Sequence, residues 1–274
     1  MITKKIYLTL IALLATVVAP AQDGVLNVTN LSLVWSQVML RPHRDAGVLV
    51  NYIMNAIAGD RDNYLQNLDW AERHLLDPTD SLYCEEMMTM LLEHATECNT
   101  LTADERLRPQ LLLENLSRNR IGTMAAPLLV ERLDKSSFDP STQPDCYKLL
   151  LFYDPTCDDC ERVMLRIADS DVIGEMVAAG SLAVTGVYGG NDVKAWRKHP
   201  CPPPLATTWS RGLYDDNEDW YVPSYPMMYL LATDGTVLIK NEPSLNRMTR
   251  VLETVRTAGS ENPALLARDL FNLR

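Results

Sequence analysis

Lys148-Leu-Leu-Leu-Phe-Tyr-Asp-Pro-Thr-Cys157-Asp-Asp-Cys160 is the stretch that decides how this chain folds. From Lys148 to Tyr153 it is an apolar run of strand length, the pattern of a strand buried on both faces. From Cys160 to Asp169, Val163, Met164 and Ile167 fall on one face at helical spacing. A buried strand therefore leads through a short turn into a Cys-x-x-Cys at a helix start.

Working outward, Leu182 to Tyr188 reads as a second strand, and Asn191 to His199 as a short helix that Pro200 ends. A polar, proline-rich stretch follows from Pro200 to Ser224. Met227 to Ala232 and Thr236 to Lys240 are two more strands, joined through Thr233-Asp234-Gly235 as a hairpin. Ser244 caps a long helix whose apolar face holds Leu245, Met248, Val251, Leu252 and Val255. Asn262-Pro263 can open one more short helix. The order β-α-β-α-β-β-α implies a parallel sheet closed by an antiparallel hairpin, with helices on both faces.

Residues before Gly122 have a different character. Leu65, Leu68, Leu75 and Leu76 recur at helical spacing before Pro78; Leu82, Met87, Met90, Leu91 and His94 repeat the pattern. Thr102 and Glu105 form a capping box for a third helix, though Pro109 should break or kink it. The expected organisation is a leader over residues 1–21, a small helical domain over 22–120 and an α/β domain over 121–274.

The leader reads as an export signal: Lys4 and Lys5, an apolar run from Ile6 to Ala19, then Ala19-Pro20-Ala21. Cleavage is expected after Ala21. The run is short for a membrane span, which takes about 20 residues. An exported, periplasmic protein is the expectation. The 274-residue chain has net charge −11, and loss of Lys4 and Lys5 takes it to −11 − 2 = −13. Such an acidic surface argues against nucleic acid and anionic lipid as partners.

The paired motifs resemble a known family. Phe152-Tyr-Asp-Pro-Thr-Cys157-Asp-Asp-Cys160 is similar to the active-site segment of thioredoxin-like proteins. Tyr225-Pro226-Met227-Met228-Tyr229-Leu230-Leu231, followed by Asp234-Gly235, is similar to their second hallmark. The resemblance covers about residues 121–274. It is nearest to the envelope-exported thiol–disulfide oxidoreductases of the TlpA-like branch. The helical half resembles a domain that precedes thioredoxin domains in Bacteroidales proteins. The resemblance implies disulfide exchange with protein thiols and disulfides of the envelope, with Cys157 and Cys160 as the catalytic pair. It also implies a substrate groove formed by Pro226 (as a cis-proline), Tyr225 and Thr156. A membrane reductant upstream would recharge the pair, though no residue identifies one. No cofactor and no metal are expected.

The residues support the same chemistry physically. A thiolate is the nucleophile in disulfide exchange, and a helix N-terminus favours negative charge at Cys157. Cys160, one turn on, can resolve the mixed disulfide. Asp158 and Asp159 oppose a thiolate at Cys157, which leans the reading toward a reductant or isomerase rather than a strong oxidant. Three positions depart from the family: Leu151 stands where thioredoxin has a buried aspartate, Val163 where some relatives have glutamate, and Thr156 where tryptophan is usual. Asp154, Asp158 or solvent can then take the resolving proton.

Other readings remain. The fold can serve as a redox-inactive binding or adaptor scaffold. A zinc site would need a second ligand pair, and only His199-Pro200-Cys201 offers one. Of the six cysteines, Cys84 and Cys98 can be a bridge or two buried thiols. Cys146 and Cys201 can pair, or Cys201 can relay electrons. His94 reads as a core residue. Trp196, Trp209 and Trp220 read as packing rather than a binding surface.

Overall fold

The structure, a computed structural model, describes residues 28–39, 43–143, 145–211, 213 and 219–258. The export leader, its cleavage point after Ala21 and the helix expected at Asn262-Pro263 lie outside the described residues. The chain divides into two compact units between Leu113 and Glu114.

The first unit is helical: α1 (Val28–Met39), α2 (His43–Ile57), α3 (Arg61–Leu75), α4 (Glu85–Glu97) and α5 (Ala103–Ser117), the last running across the division between units. Its core buries Trp35, Val50, Met54, Tyr64, Leu75 and Met87. Local capping sets the helix starts. The Asp60 carboxylate accepts the Asn63 N–H at 3.1 Å. At α5 the capping box forms both ways: Thr102 N–H donates to Glu105 Oε2 at 2.8 Å and Glu105 N–H to Thr102 Oγ1 at 3.3 Å. Pro109 does not end α5, contrary to expectation. Its ring is buried, and that contact offsets the backbone hydrogen bond it forgoes.

Cys84 and Cys98 cap opposite ends of α4. A helix rises about 1.5 Å per residue, so they stand roughly 20 Å apart and cannot bridge. Both are buried free thiols.

The second unit is built on a seven-stranded sheet in the order β2-β1-β5-β4-β3-β6-β7. The strands are β1 (Val130–Arg132), β2 (Ser137–Phe138), β3 (Tyr147–Tyr153), β4 (Leu182–Tyr188), β5 (Ala206–Trp209), β6 (Met227–Leu231) and β7 (Val237–Glu242). β4 runs parallel to both β3 and β5, and β3-β6-β7 is antiparallel. The β6–β7 turn relies on Gly235 at φ 92° and on Asp234, whose Oδ1 accepts the Thr236 N–H at 2.9 Å. The helices are α6 (Asp158–Ala168), α7 (Asp171–Ala178), α8 (Val193–Lys198) and α9 (Leu245–Ala258).

Alternation along β3 divides the core. Leu149, Leu151 and Tyr153 point to one face, where they pack with Ile167, Ile173, Trp196 and Leu252 of α6–α9. Leu150 and Phe152 point to the other, where Leu128, Leu213, Trp220 and Val222 cover them. The mixed sheet with flanking helices is the expected architecture; among the described residues, the helix side chains Ile167, Ile173, Trp196 and Leu252 pack on the Leu149 face, and connecting segments cover the Leu150 face. The cause is handedness: the β3→β4 and β4→β5 crossovers step across the sheet in the same direction, so right-handed connections put their helices on the same side.

Candidate active site

Cys157 stands where β3 gives way to α6. It is the N-cap of α6, in extended conformation, and its Sγ accepts the Cys160 N–H at 3.2 Å. The strand is rigid because both its faces are buried, so it aims the turn and the helix start together. Cys157 is partly exposed and Cys160 fully buried. The pair therefore has one sulfur that a partner can reach and one that it cannot. Neither is in a disulfide.

Asp154 organises the turn. Its Oδ1 accepts the Thr156 N–H at 2.7 Å and the Thr156 Oγ1–H at 2.6 Å. Its carbonyl accepts the Cys157 N–H at 3.2 Å. Burial pushes the Cys160 thiol well above the usual cysteine range. The hydrogen bond with Cys157 and the negative charges of Cys157 and Asp154 push the same way, against a backbone hydrogen bond from Asp154. Of the first-turn acids, Asp159 is ion-paired to Arg162 on the surface, which offsets part of the negative charge expected beside Cys157. Neither Asp154's turn-closing role nor Arg162's pairing was foreseen. The D-x-T spacing of Asp154 and Thr156, and the i,i+3 spacing of Asp159 and Arg162, are the signals that carried them.

The second motif meets the first through register. Met227 of β6 pairs with Phe152 of β3, and one further step places Pro226 across from Tyr153. The Tyr225–Pro226 bond is cis, as is Pro203–Pro204. Tyr225 packs against both core layers. Thr156 is exposed on the turn. All the sequence-nominated site residues thus gather at one end of the sheet.

Leu151 and Val163 offer no carboxylate, and Leu151 is fully buried. Against Gly186, the β4 partner of Leu151, lies Cys201, a buried thiol in the same core layer as Cys160. Its N–H donates to Thr207 Oγ1 at 2.8 Å. Cys201 fits only because residue 186 is glycine: a Cβ there would lie 2.6 Å from Cys201 Sγ. Burial pushes the Cys201 thiol up, as it does the neighbouring Tyr153 hydroxyl. Cys146 precedes the opposite end of β3, whereas Cys201 lies against Gly186, the partner of Leu151. At about 3.3 Å per residue the two are well over a bond apart, and they do not pair.

Trp196 and Trp220 are buried core residues. Trp209 donates through Nε1 to the Gly190 carbonyl at 3.0 Å. All three tryptophans pack rather than form a binding face. Among the described residues, no group of three or more His, Cys, Asp or Glu is placed to hold a metal ion, and no helix is long and apolar enough to cross a membrane.

No protein-family model and no curated protein matches the sequence. Solved structures do. A thioredoxin-like protein from Bacteroides caccae ATCC 43185 superposes with a TM-score of 0.73 at 22% identity, over 78% of this chain and 78% of its own. The C-terminal domain of an uncharacterized protein from Bacteroides fragilis NCTC 9343 aligns at 26% identity and TM-score 0.47, over 50% of this chain and 99% of that one. A putative protein disulfide isomerase from Bacteroides thetaiotaomicron aligns at 13% identity and TM-score 0.42, over 50% of this chain and 88% of that one.

Proposed function

We propose that this chain, whose fold is thioredoxin-like, is an exported thiol–disulfide oxidoreductase that exchanges disulfides with protein substrates of the cell envelope through Cys157 and Cys160. The observation that carries the reading is the unequal exposure of the pair at one helix start: Cys157 reachable and capping α6, Cys160 buried one turn behind it. The Cys157 thiolate attacks a substrate disulfide, forming a mixed disulfide and releasing one substrate thiolate. Deprotonated Cys160 then attacks the Cys157 sulfur, forming the Cys157–Cys160 disulfide and releasing the second substrate thiolate. Two electrons pass to the substrate, and two protons restore its thiols.

Thr156, Tyr225 and Pro226 line the place where the substrate backbone would lie. Asp154, Asp158 or solvent takes the Cys160 proton, and burial, which raises that thiol, makes its deprotonation less favourable. The acids at the start of α6 support a reductant or isomerase, a lean weakened by the Asp159–Arg162 pair. Export and cleavage after Ala21 rest on the N-terminal composition, and a membrane reductant would return electrons to the pair.

One observation favours the rival reading, a redox-inactive binding scaffold: Leu151 puts hydrocarbon where a proton acceptor would assist Cys160. Trapping separates the two. With insulin as the disulfide substrate, Cys160→Ser should accumulate a dithiothreitol-reversible adduct at Cys157, and Cys157→Ser should give none. Absence of both the adduct and insulin reduction by the unmodified protein would leave the scaffold reading.

A further inference from the structure

The helical unit carries a cavity of about 810 Å³ between α2 and α4, a size suited to part of a ligand. The two helices run parallel along it. A methyl group on Gly47 would lie 3.9 Å from Met90 Sδ near one end, and at the other Thr100 Oγ1 donates to the Ala58 carbonyl at 2.5 Å. Both helices therefore end at the same end of the cavity, α2 at Ile57 and α4 at Glu97. Two helix C-termini bring the negative ends of two dipoles together there. Glu97 lines the same end, and among the described residues no lysine or arginine lines the cavity. Just outside it, the Arg106 guanidinium already donates to the Cys98 carbonyl at 3.2 Å, the kind of group this end attracts.

The other lining groups are polar and fixed. His94 Nδ1 is held by the buried Tyr64 hydroxyl at 2.8 Å, and burial lowers the imidazole's pKa, so the ring faces the cavity uncharged. Asn51 and Asn55 lie one turn apart along α2; Asn55 Nδ2 donates to the Asn51 carbonyl at 2.7 Å, which leaves its Oδ1 to accept. Met90 supplies an apolar floor. Val48 and Tyr52, 50% and 55% exposed, sit one position beyond Gly47 and Asn51 on the flank of α2.

We infer that this groove binds an arginine or lysine side chain of a partner polypeptide. The acidic end takes the cationic head, Met90 takes the aliphatic stem, and the carboxamides of Asn51 and Asn55 meet peptide N–H and C=O groups. Val48 and Tyr52 offer contact to the neighbouring residues, contact that a free polyamine would not use. The inference does not depend on the dithiol chemistry, and binding should survive Cys157→Ser.

The test uses the full chain and a fluorescein-labelled heptapeptide, Gly-Leu-Ser-Arg-Ser-Leu-Gly, followed by anisotropy at low salt. The expected result is saturable binding that weakens about tenfold or more when citrulline replaces arginine and again with Glu97→Gln, with little change for Glu253→Gln, an equal charge change on α9. Added salt should weaken it further. Circular dichroism melts confirm that each variant is folded. Equal affinity for the citrulline peptide, an unchanged affinity in folded Glu97→Gln, or no saturable binding would overturn the inference. Binding of spermidine without binding of the peptide would also overturn it, in favour of a free polyamine.

Discussion

Replacing Cys157 separates two jobs that one sulfur performs. Its Sγ is both the reachable thiol of the pair and the cap of α6, accepting the Cys160 N–H at 3.2 Å. Serine keeps an acceptor in that place and is among the best N-cap residues; alanine removes it and leaves an unsatisfied donor. Losing a side-chain N-cap costs about 0.5–2 kcal/mol, and a thiol, being a weak acceptor, puts the loss from cysteine near the lower end. For a unit the length of residues 114–274, each 1 kcal/mol moves Tm by about 2–4 °C. Both variants should lose disulfide exchange altogether. Under reducing conditions, however, Cys157→Ser should melt at or above the unmodified protein, and Cys157→Ala about 1–4 °C below the serine variant. The assay is a thermal melt in dithiothreitol, paired with hydrogen exchange at the Cys160 amide, which should quicken in the alanine variant only. If Cys157→Ala melts with or above Cys157→Ser and its Cys160 amide is equally protected, Cys157 is not the cap, and the geometry argued for the site is wrong.

Three further outcomes follow from the same geometry. Burial raises the Cys160 and Cys201 thiols above an unfolded value of about 8.5, so the folded reduced unit holds protons that the unfolded chain releases; its stability should fall as pH rises past that value, less steeply in Cys160→Ser, as urea titrations from pH 7 to 10 would show. Gly186→Ala drives a methyl to 2.6 Å from Cys201 Sγ and should cost about 1–3 kcal/mol in urea unfolding, partly recovered in a Cys201→Ala background; strictly additive losses would contradict the packing. In the helical unit, hydrogen bonds from Arg61 and then Thr102 lower Glu105 to about 2; that support is present above about pH 4.3 and lost as pH falls toward 2, so Glu105→Gln should flatten the acid limb of the helical unit's stability profile.

The parts of the fold that could be read from sequence are those whose signal is local. Lys148–Tyr153 stood out because a strand covered on both faces is apolar at nearly every position, here Leu149 to Tyr153; Cys157 and Cys160 stood out because their spacing sets their geometry. Ser244 and the pair Thr102/Glu105 announced their helices through caps. The missed elements lack such signals. β5 is a four-residue strand following Pro204, half-exposed on most of its length, and it exists because β4 and β1 offer edges on either side. β1 and β2 are shorter still. α7 was hidden by Gly174 in its middle, although Ser170 caps it. The setting of Cys201 was out of reach for a different reason: its contacts with Gly186 and Tyr153 follow from the β3–β4 register, which no single segment encodes.

The central claim concerns the pair at the start of α6, and its redox equilibrium tests that claim most directly. The mature protein would be equilibrated against a graded dithiothreitol or glutathione series and its thiols counted by alkylation. A reversible two-electron couple, absent from both Cys157→Ser and Cys160→Ser, is the predicted result, with a potential toward the reducing side of the known oxidoreductases. A pair that never forms a disulfide across the series, or one that forms it and resists reduction throughout, would contradict the account.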